Sequence, residues 1–298
     1  MDTGIARKAE NAGSAGGPSG LHVPLRYLRV LATFARNSLI RDMTFRVNFL
    51  INVASSISWV LMNLGFYLLV FRFAPSIGAR TGWEQWPFFA FLATGLLINS
   101  AVHALFMVNA DELSELIRTG NLDFVLLRPI DTQFVVSLTR IDWSALGNFC
   151  VGLVLLGTAL VRMNYVPGVL ECLLYAFFVV CGVAIYYSLM IALAASSVWL
   201  GRNLSLLDFW FYITTFARYP MEIYQGRFGT PLRAAFTWVI PVLVVVNVPA
   251  RLLVQSVRPS TASDWFLAAF TVAAAVASLV ASRMVFQAAL RSYRSSGS

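Results

Sequence analysis

From Val169 to Val198 the chain carries a single charged residue, Glu171, close to the start of the run. A run of this length has no polar face to offer water. It exceeds the roughly 20 apolar residues that a bilayer core requires, so it reads as a span that projects or tilts. The pattern recurs at Phe49 to Phe71, at Pro87 to Asn109, ahead of Val161, and from Asp264 to Ala281. The composition agrees: 58% of residues are hydrophobic, 12% are charged, and mean hydropathy is +0.72. Soluble domains carry about 25% charged residues. The expected fold class is an all-α membrane protein.

Net charge is +8, and Lys8 is the one lysine among 22 basic residues. No basic stripe is interleaved with aromatics on a polar surface, so nucleic acid is not an expected partner. Lipid headgroups and membrane topology account better for the arginines. One lysine at position 8 excludes a G-x-x-x-x-G-K-[ST] phosphate loop. G-x-S-x-G, H-E-x-x-H and C-x-x-C motifs are also missing from the sequence. Two histidines, His22 and His103, are too few for a histidine metal site. Cys150, Cys172 and Cys181 lie in apolar runs and read as small core hydrophobes. No catalytic, cofactor-binding or metal-ligating residues are expected in this chain.

Residues 1–23 are rich in Gly, Ser and Ala, lack a hydrophobic signal core, and read as a disordered cytoplasmic tail. Pro24 then opens an amphipathic helix that runs to about Met43. At 100° per residue, Arg26, Arg29, Arg36 and Arg41 share one face, and Leu25, Leu28, Leu31, Leu39 and Met43 share the other. An arginine-faced helix just before a span reads as interfacial. Trp83 and Trp86, before the second span, read as an aromatic belt.

The most polar stretch in the middle of the chain is Asp111 to Asp131, DELSELIRTGNLDFVLLRPID. It lies between two apolar runs, so it is a folded loop at a membrane face. Asp111 and Glu112 suggest the first turn of a short helix ending at Arg118, with Gly120 as its C-cap. Leu122 to Leu127 forms a second element that Pro129 stops, and Asp131 caps a helix continuing to Trp143. This stretch has the form of a docking surface for a soluble partner. Its candidate contacts are Glu112, Glu115, Arg118, Asp123 and Arg128, joined by Arg202 in a second loop on the same face.

Polar groups inside spans are costly and are candidates for lining a pathway. They are Asn99, His103 and Asp208. Glu171 suits either a solvated interface or a vestibule. The last third of the chain admits two topologies. In one, Leu204 to Tyr219 is a fifth span and residues 220–258 form a Pro-broken re-entrant element on the outer side. In the other, Leu206 to Arg233 lies on the cytoplasmic face and Ala234 to Val257 crosses. The positive-inside rule favours the second, because the first puts Arg218, Arg227, Arg233, Arg251 and Arg258 outside.

The run Gly120-Asn-Leu-Asp-Phe-Val-Leu-Leu-Arg-Pro-Ile130 resembles the G-x-L-D-x-x-L-L-x-P-I signature of ABC-2 type permeases. These are membrane subunits of bacterial ATP-binding-cassette transporters with a separate ATPase. The late Arg218-Tyr-Pro, Ile240-Pro and Asn247-Val-Pro249 region is similar as well. The resemblance implies six spans preceded by a connecting helix (24–47), with residues 24–298 forming one transmembrane domain. It implies the re-entrant topology, and a coupling loop (111–131) that seats in the ATPase. It also implies a permease rather than an enzyme, in the bacterial inner membrane with both termini cytoplasmic. ATP and Mg would reside on an ATPase dimer, a second permease subunit would complete the pathway, and the direction would be export. Other classes open to such a sequence are a channel or flippase without an ATPase, and a membrane-embedded enzyme.

Overall fold

A computed structural model describes residues 22–77, 82–200, 204–254 and 262–293. Residues 1–21 of the expected tail, and Arg202, lie outside the described residues. Apart from a lone bridge between Ser76 and Glu84, every regular element among the described residues is helical. The chain order is α1 (His22–Thr44), α2 (Arg46–Phe73), α3 (Gln85–Thr119), α4 (Leu122–Leu126), α5 (Thr132–Leu138), α6 (Leu146–Arg162), α7 (Val169–Ala195), α8 (Leu204–Thr215), α9 (Gly226–Ala234), α10 (Val242–Val254) and α11 (Ala262–Ser292). Five helical stretches are long and apolar enough to cross a membrane: Arg46–Phe73, Gln85–Thr119, Trp143–Arg162, Val169–Leu200 and Ser263–Ser292. A sixth is possible if Gly226–Val239 and Val242–Val254, bent by 87°, count together.

The expected fifth span is a shorter element. Helix α8 has 12 residues, about 18 Å at 1.5 Å per residue. That falls short of the roughly 30 Å hydrocarbon core. A 3₁₀ turn at Phe216–Arg218 and an extended Tyr219 carry the chain onward, because Pro220 disfavours helical backbone in the residue before it.

Helix α7 is the hub. It packs against α11, α10 and α3, while α6 lies along α3. From Val242 to Ala250 every residue of α10 is buried. A helix that is apolar all round belongs in a core, and the β-branched valines fill that core. Gly182 lets α7 approach closely. A Cβ at that position would stand 3.0 Å from both the Val245 carbonyl oxygen and a Val245 methyl. Pro249 has no N–H, so this carbonyl lacks its i+4 helical donor. The one polar side chain between Val242 and Ala250, Asn247, is fully buried and accepts from Met221 N at 2.9 Å while donating to Leu243 O at 2.7 Å.

Val245 lies near the middle of the bundle, against Gly182 and Ile98. Arg251, six residues later, lies at one end of it. There its guanidinium pairs with Glu222 and reaches Asp264 at 3.8 Å. Trp83 Nε1 donates to the same Glu222 at 2.9 Å. The segment between Glu222 and Arg251 therefore has both flanks at the Trp83 end. Trp83 is buried by this contact and is not part of an interfacial belt, whereas Trp86 stacks beneath Arg162. Glu171 accepts from Gly168 N at 3.0 Å and from the Tyr165 hydroxyl, closing the α6–α7 turn. Cys181 is buried, but Cys150 and Cys172 are exposed on the outside of the bundle and are not core residues.

Candidate functional site

The polar stretch 111–131 lies at the opposite end from Trp83, and its first helix has no N-terminus of its own. The second span runs unbroken from Gln85 to Thr119 through a π-helical turn at His103–Met107. Asp111 and Glu112 are therefore mid-helix, and no helix dipole at that point favours them. A turn with i→i+5 bonding leaves a carbonyl free to bond elsewhere. Ala104 O accepts from Asp142 N at 2.8 Å. The helix from Asp131 stops at Leu138, and Asp142 caps a new start at Trp143, accepting from Ser144 N at 2.9 Å.

The turn chemistry of the loop follows the sequence. Gly120 has φ +71°, a left-handed C-cap that favours glycine. The turn α4 ends before Pro129, and Asp131 accepts from Phe134 N at 2.9 Å. Leu122 and Val125 are buried and anchor the turn, while Phe124, Leu126 and Leu127 point outward, with Leu127 81% exposed.

The expected contact residues have distinct roles. Glu112 holds Arg140 at 3.1 Å and braces α3 against the entry to α6. Glu115 and Arg118 pair with each other one turn apart. The Asp123 carboxylate sits beside the Tyr293 hydroxyl beyond α11; burial and that neighbour together raise the phenol's pKa. Arg128 is exposed beside Leu127.

Sequence reasoning missed the group that fastens this loop to the bundle. Arg283 on α11 forks onto both oxygens of Asp131, at 3.0 Å through Nη1 and closer through Nη2. Nη1 also donates to Gln133 Oε1 at 3.0 Å. Gln133 Nε2 donates to the Tyr187 hydroxyl of α7 at 3.1 Å, which shares a 2.8 Å bond with Ser137. Tyr27 of α1 packs edge-on against Phe134, and its hydroxyl accepts from Asp131 N at 3.4 Å. Burial alone would raise the Asp131 pKa, but the Arg283 bonds and the Phe134 amide outweigh it, and the carboxyl sits below its ordinary value. An arginine following an apolar span was the one signal available, and its partner lies 152 residues away.

Helix α1 carries three stripes, not two. Tyr27, Ala35 and Ser38 face the bundle: Ser38 Oγ accepts from Ile141 N at 3.0 Å, and Ala35 O from Trp143 Nε1 at 3.2 Å. Leu25, Leu28, Leu39 and Met43 stay exposed, as do Arg26, Arg29, Arg36 and Arg41. A helix fastened along one side with bare leucines next to arginines suits a bilayer surface.

Two of the three pathway candidates come together. Asn99 and His103 line a trough of about 460 Å³ on the face of α3. Helix α2 forms one wall with Trp59, Asn63 and Tyr67; α8 and the turn after it form the other with Trp210, Thr214 and Arg218. The foot of α6 closes the lower end with Asp142 and Asn148. Asn148 Oδ1 is buried with no partner among the described residues. His103 stands edge-on to Trp210, 5.8 Å between centroids. The third candidate, Asp208, is exposed and lines no part of the trough; α8 turns its Trp210 face inward and leaves residue 208 outside.

No curated protein and no solved structure matches the chain. The family description "ABC-2 family transporter protein" matches residues 57–297, which take in the trough, the exposed loop and the α10 core. With five or six membrane-crossing elements and a match over most of its length, this multi-pass membrane protein belongs to the ABC-2 family of transporter proteins.

Proposed function

We propose that the chain is the permease subunit of an ABC transporter, with the loop 111–131 docking on a partner ATPase. The observation that carries this reading is the apolar edge Phe124, Leu126 and Leu127, held outward on a Gly-capped, Pro-terminated turn. Leucine and phenylalanine exposed between Arg118 and Arg128 form a small knob suited to a groove on a soluble protein. The chain holds no phosphate loop, so ATP and Mg belong to that partner, and this subunit is not itself an enzyme. The loop end is then cytoplasmic, as are both termini, and the Trp83 end is outside. The setting is the bacterial inner membrane, with α1 lying in the lipid interface.

On this reading the hairpin from Glu222 to Arg251 is the re-entrant element, entering from outside and turning back near mid-membrane. On the same reading Arg251 lies at the outer face, where Glu222 and Asp264 compensate its charge locally. The trough is the substrate pathway, completed by a second, identical or homologous permease subunit, and the direction is export. Arg202, in the second cytoplasmic loop, is a further ATPase contact.

Leu127→Asp is the test. The variant chain should reach the membrane at wild-type level and lose the nucleotide-hydrolysing protein that co-purifies with the wild type. If the wild-type chain purifies with no ATPase, or the variant retains it, the assignment fails.

A further inference from the structure

The inner loop needs a mechanical connection to the spans if anything bound to it is to move them. A short turn on a soft tether would absorb the motion, whereas a joint with fixed geometry passes on a rigid-body displacement. Beyond the continuous helix α3, the Glu112–Arg140 pair and the Asp123–Tyr293 contact, the loop meets the bundle through a polar cluster at its Asp131 end. Its centre is Arg283, whose planar guanidinium holds both Asp131 oxygens and Gln133 Oε1 at once. A bidentate fork fixes orientation as well as distance, which a lysine cannot do. Asp131 is also the N-cap of α5, so the direction of α5 is referred to α11. Gln133 passes the connection to Tyr187 on α7, and the Tyr187 ring packs at a tilt against Phe106, 4.5 Å between centroids, inside the π-turn of α3.

We infer that Arg283 is the positioning residue through which displacement of the 111–131 loop reaches the last span. It is not among the residues that line the trough. It sets the angle between α5 and α11, and the Gln133–Tyr187 link extends the same constraint to α7. The inference rests on the reading of the loop as the ATPase seat, but the joint itself can be measured in this chain alone.

The measurement is the distance between spin labels at Asn121 and Met284, both exposed and neither an expected ATPase contact, in a full chain whose three cysteines are replaced, held in lipid nanodiscs. The parent should give one narrow distribution. Arg283→Gln should broaden it, while purified yield and helical content stay at parent level. Asp131→Asn keeps a good N-cap but loses the charge that Arg283 grips, so it should broaden the distribution as Arg283→Gln does. The double variant should broaden it no further. A merely structural arginine would lower yield or melting temperature and leave the width alone. An unchanged distribution in Arg283→Gln, or fully additive broadening in the double variant, overturns the inference. Adding ATP and vanadate to the co-purified complex supplies the second arm. The distance should stay fixed in the parent, because loop and α11 move together, and should shift in Arg283→Gln. Absence of any co-purifying ATPase would count against the proposed function, while the nucleotide-free widths would still decide the joint.

Discussion

The amide of Asp142 donates to the carbonyl of Ala104 at 2.8 Å. One residue belongs to a π-turn in the second span, and the other caps the start of the third. The wide turn that presents His103 to the trough thus also anchors the foot of α6. Distortion of the helix, anchoring of the next span and a polar lining for the trough share one backbone bond.

Removal of the cap tests this anchoring. Asp142→Ala strips the acceptor from Ser144 N and Ser144 Oγ. It should destabilise the chain by about 1 kcal/mol, and Asp142→Asn by less, because asparagine caps nearly as well. Thermal unfolding in detergent measures both. Equal losses in the two variants would show that charge, not capping, matters at this position.

The approach of α7 to α10 gives a steric prediction. Gly182→Ala places a methyl 3.0 Å from the Val245 carbonyl and 3.1 Å from Ile98. Overpacking of this kind costs about 1–3 kcal/mol. Gly182→Ala should therefore lower the melting temperature, and Ile98→Val in the same chain should recover part of the loss by withdrawing one methyl. A neutral Gly182→Ala would mean that α10 is free to shift.

Pairing at the Trp83 end gives a third. Arg251 and Glu222 are each largely buried, at 19% side-chain exposure. Removing one partner leaves the other charge uncompensated, at a cost of up to about 3 kcal/mol. Arg251→Gln should be more damaging than the double variant Arg251→Gln, Glu222→Gln, with stability read by urea or thermal unfolding. A double variant as poor as the sum of the two singles would mean that the pair contributes no coupling.

The joint at the loop end carries a pH dependence. The Asp131 carboxyl titrates below its ordinary value of about 3.8. The unfolded chain therefore binds this proton at a higher pH than the folded chain does. The stabilisation is complete above about pH 4 and disappears as pH falls through the lower, folded value. Acid unfolding of the wild type should show this loss below pH 4, and Asp131→Asn should lack it. An identical acid profile in the two chains would remove Asp131 from the account.

The exposed Phe124 to Leu127 edge shows what local sequence can specify. Gly120, Pro129 and Asp131 act on neighbouring backbone through φ, a missing N–H and a cap, so the shape of the turn was readable residue by residue. The long apolar runs were readable for the same reason, since hydrocarbon selects composition over about 20 consecutive residues. The start of a short helix at Asp111 was misread, because acids in a first turn and acids in mid-helix look alike in one dimension.

Sequence alone therefore determined that this chain is a bundle of membrane-crossing helices with a capped polar loop between the second and third. Its loop signature also pointed to the family. Only the tertiary structure decided that Arg283 grips Asp131, that Glu222 meets Arg251, that Trp83 is buried and that Asp208 faces away from the trough. Those pairings join positions far apart in the chain, where neither periodicity nor local backbone preference carries information. They are settled by which helices pack against α7, and hence by Gly182 and the valines of α10.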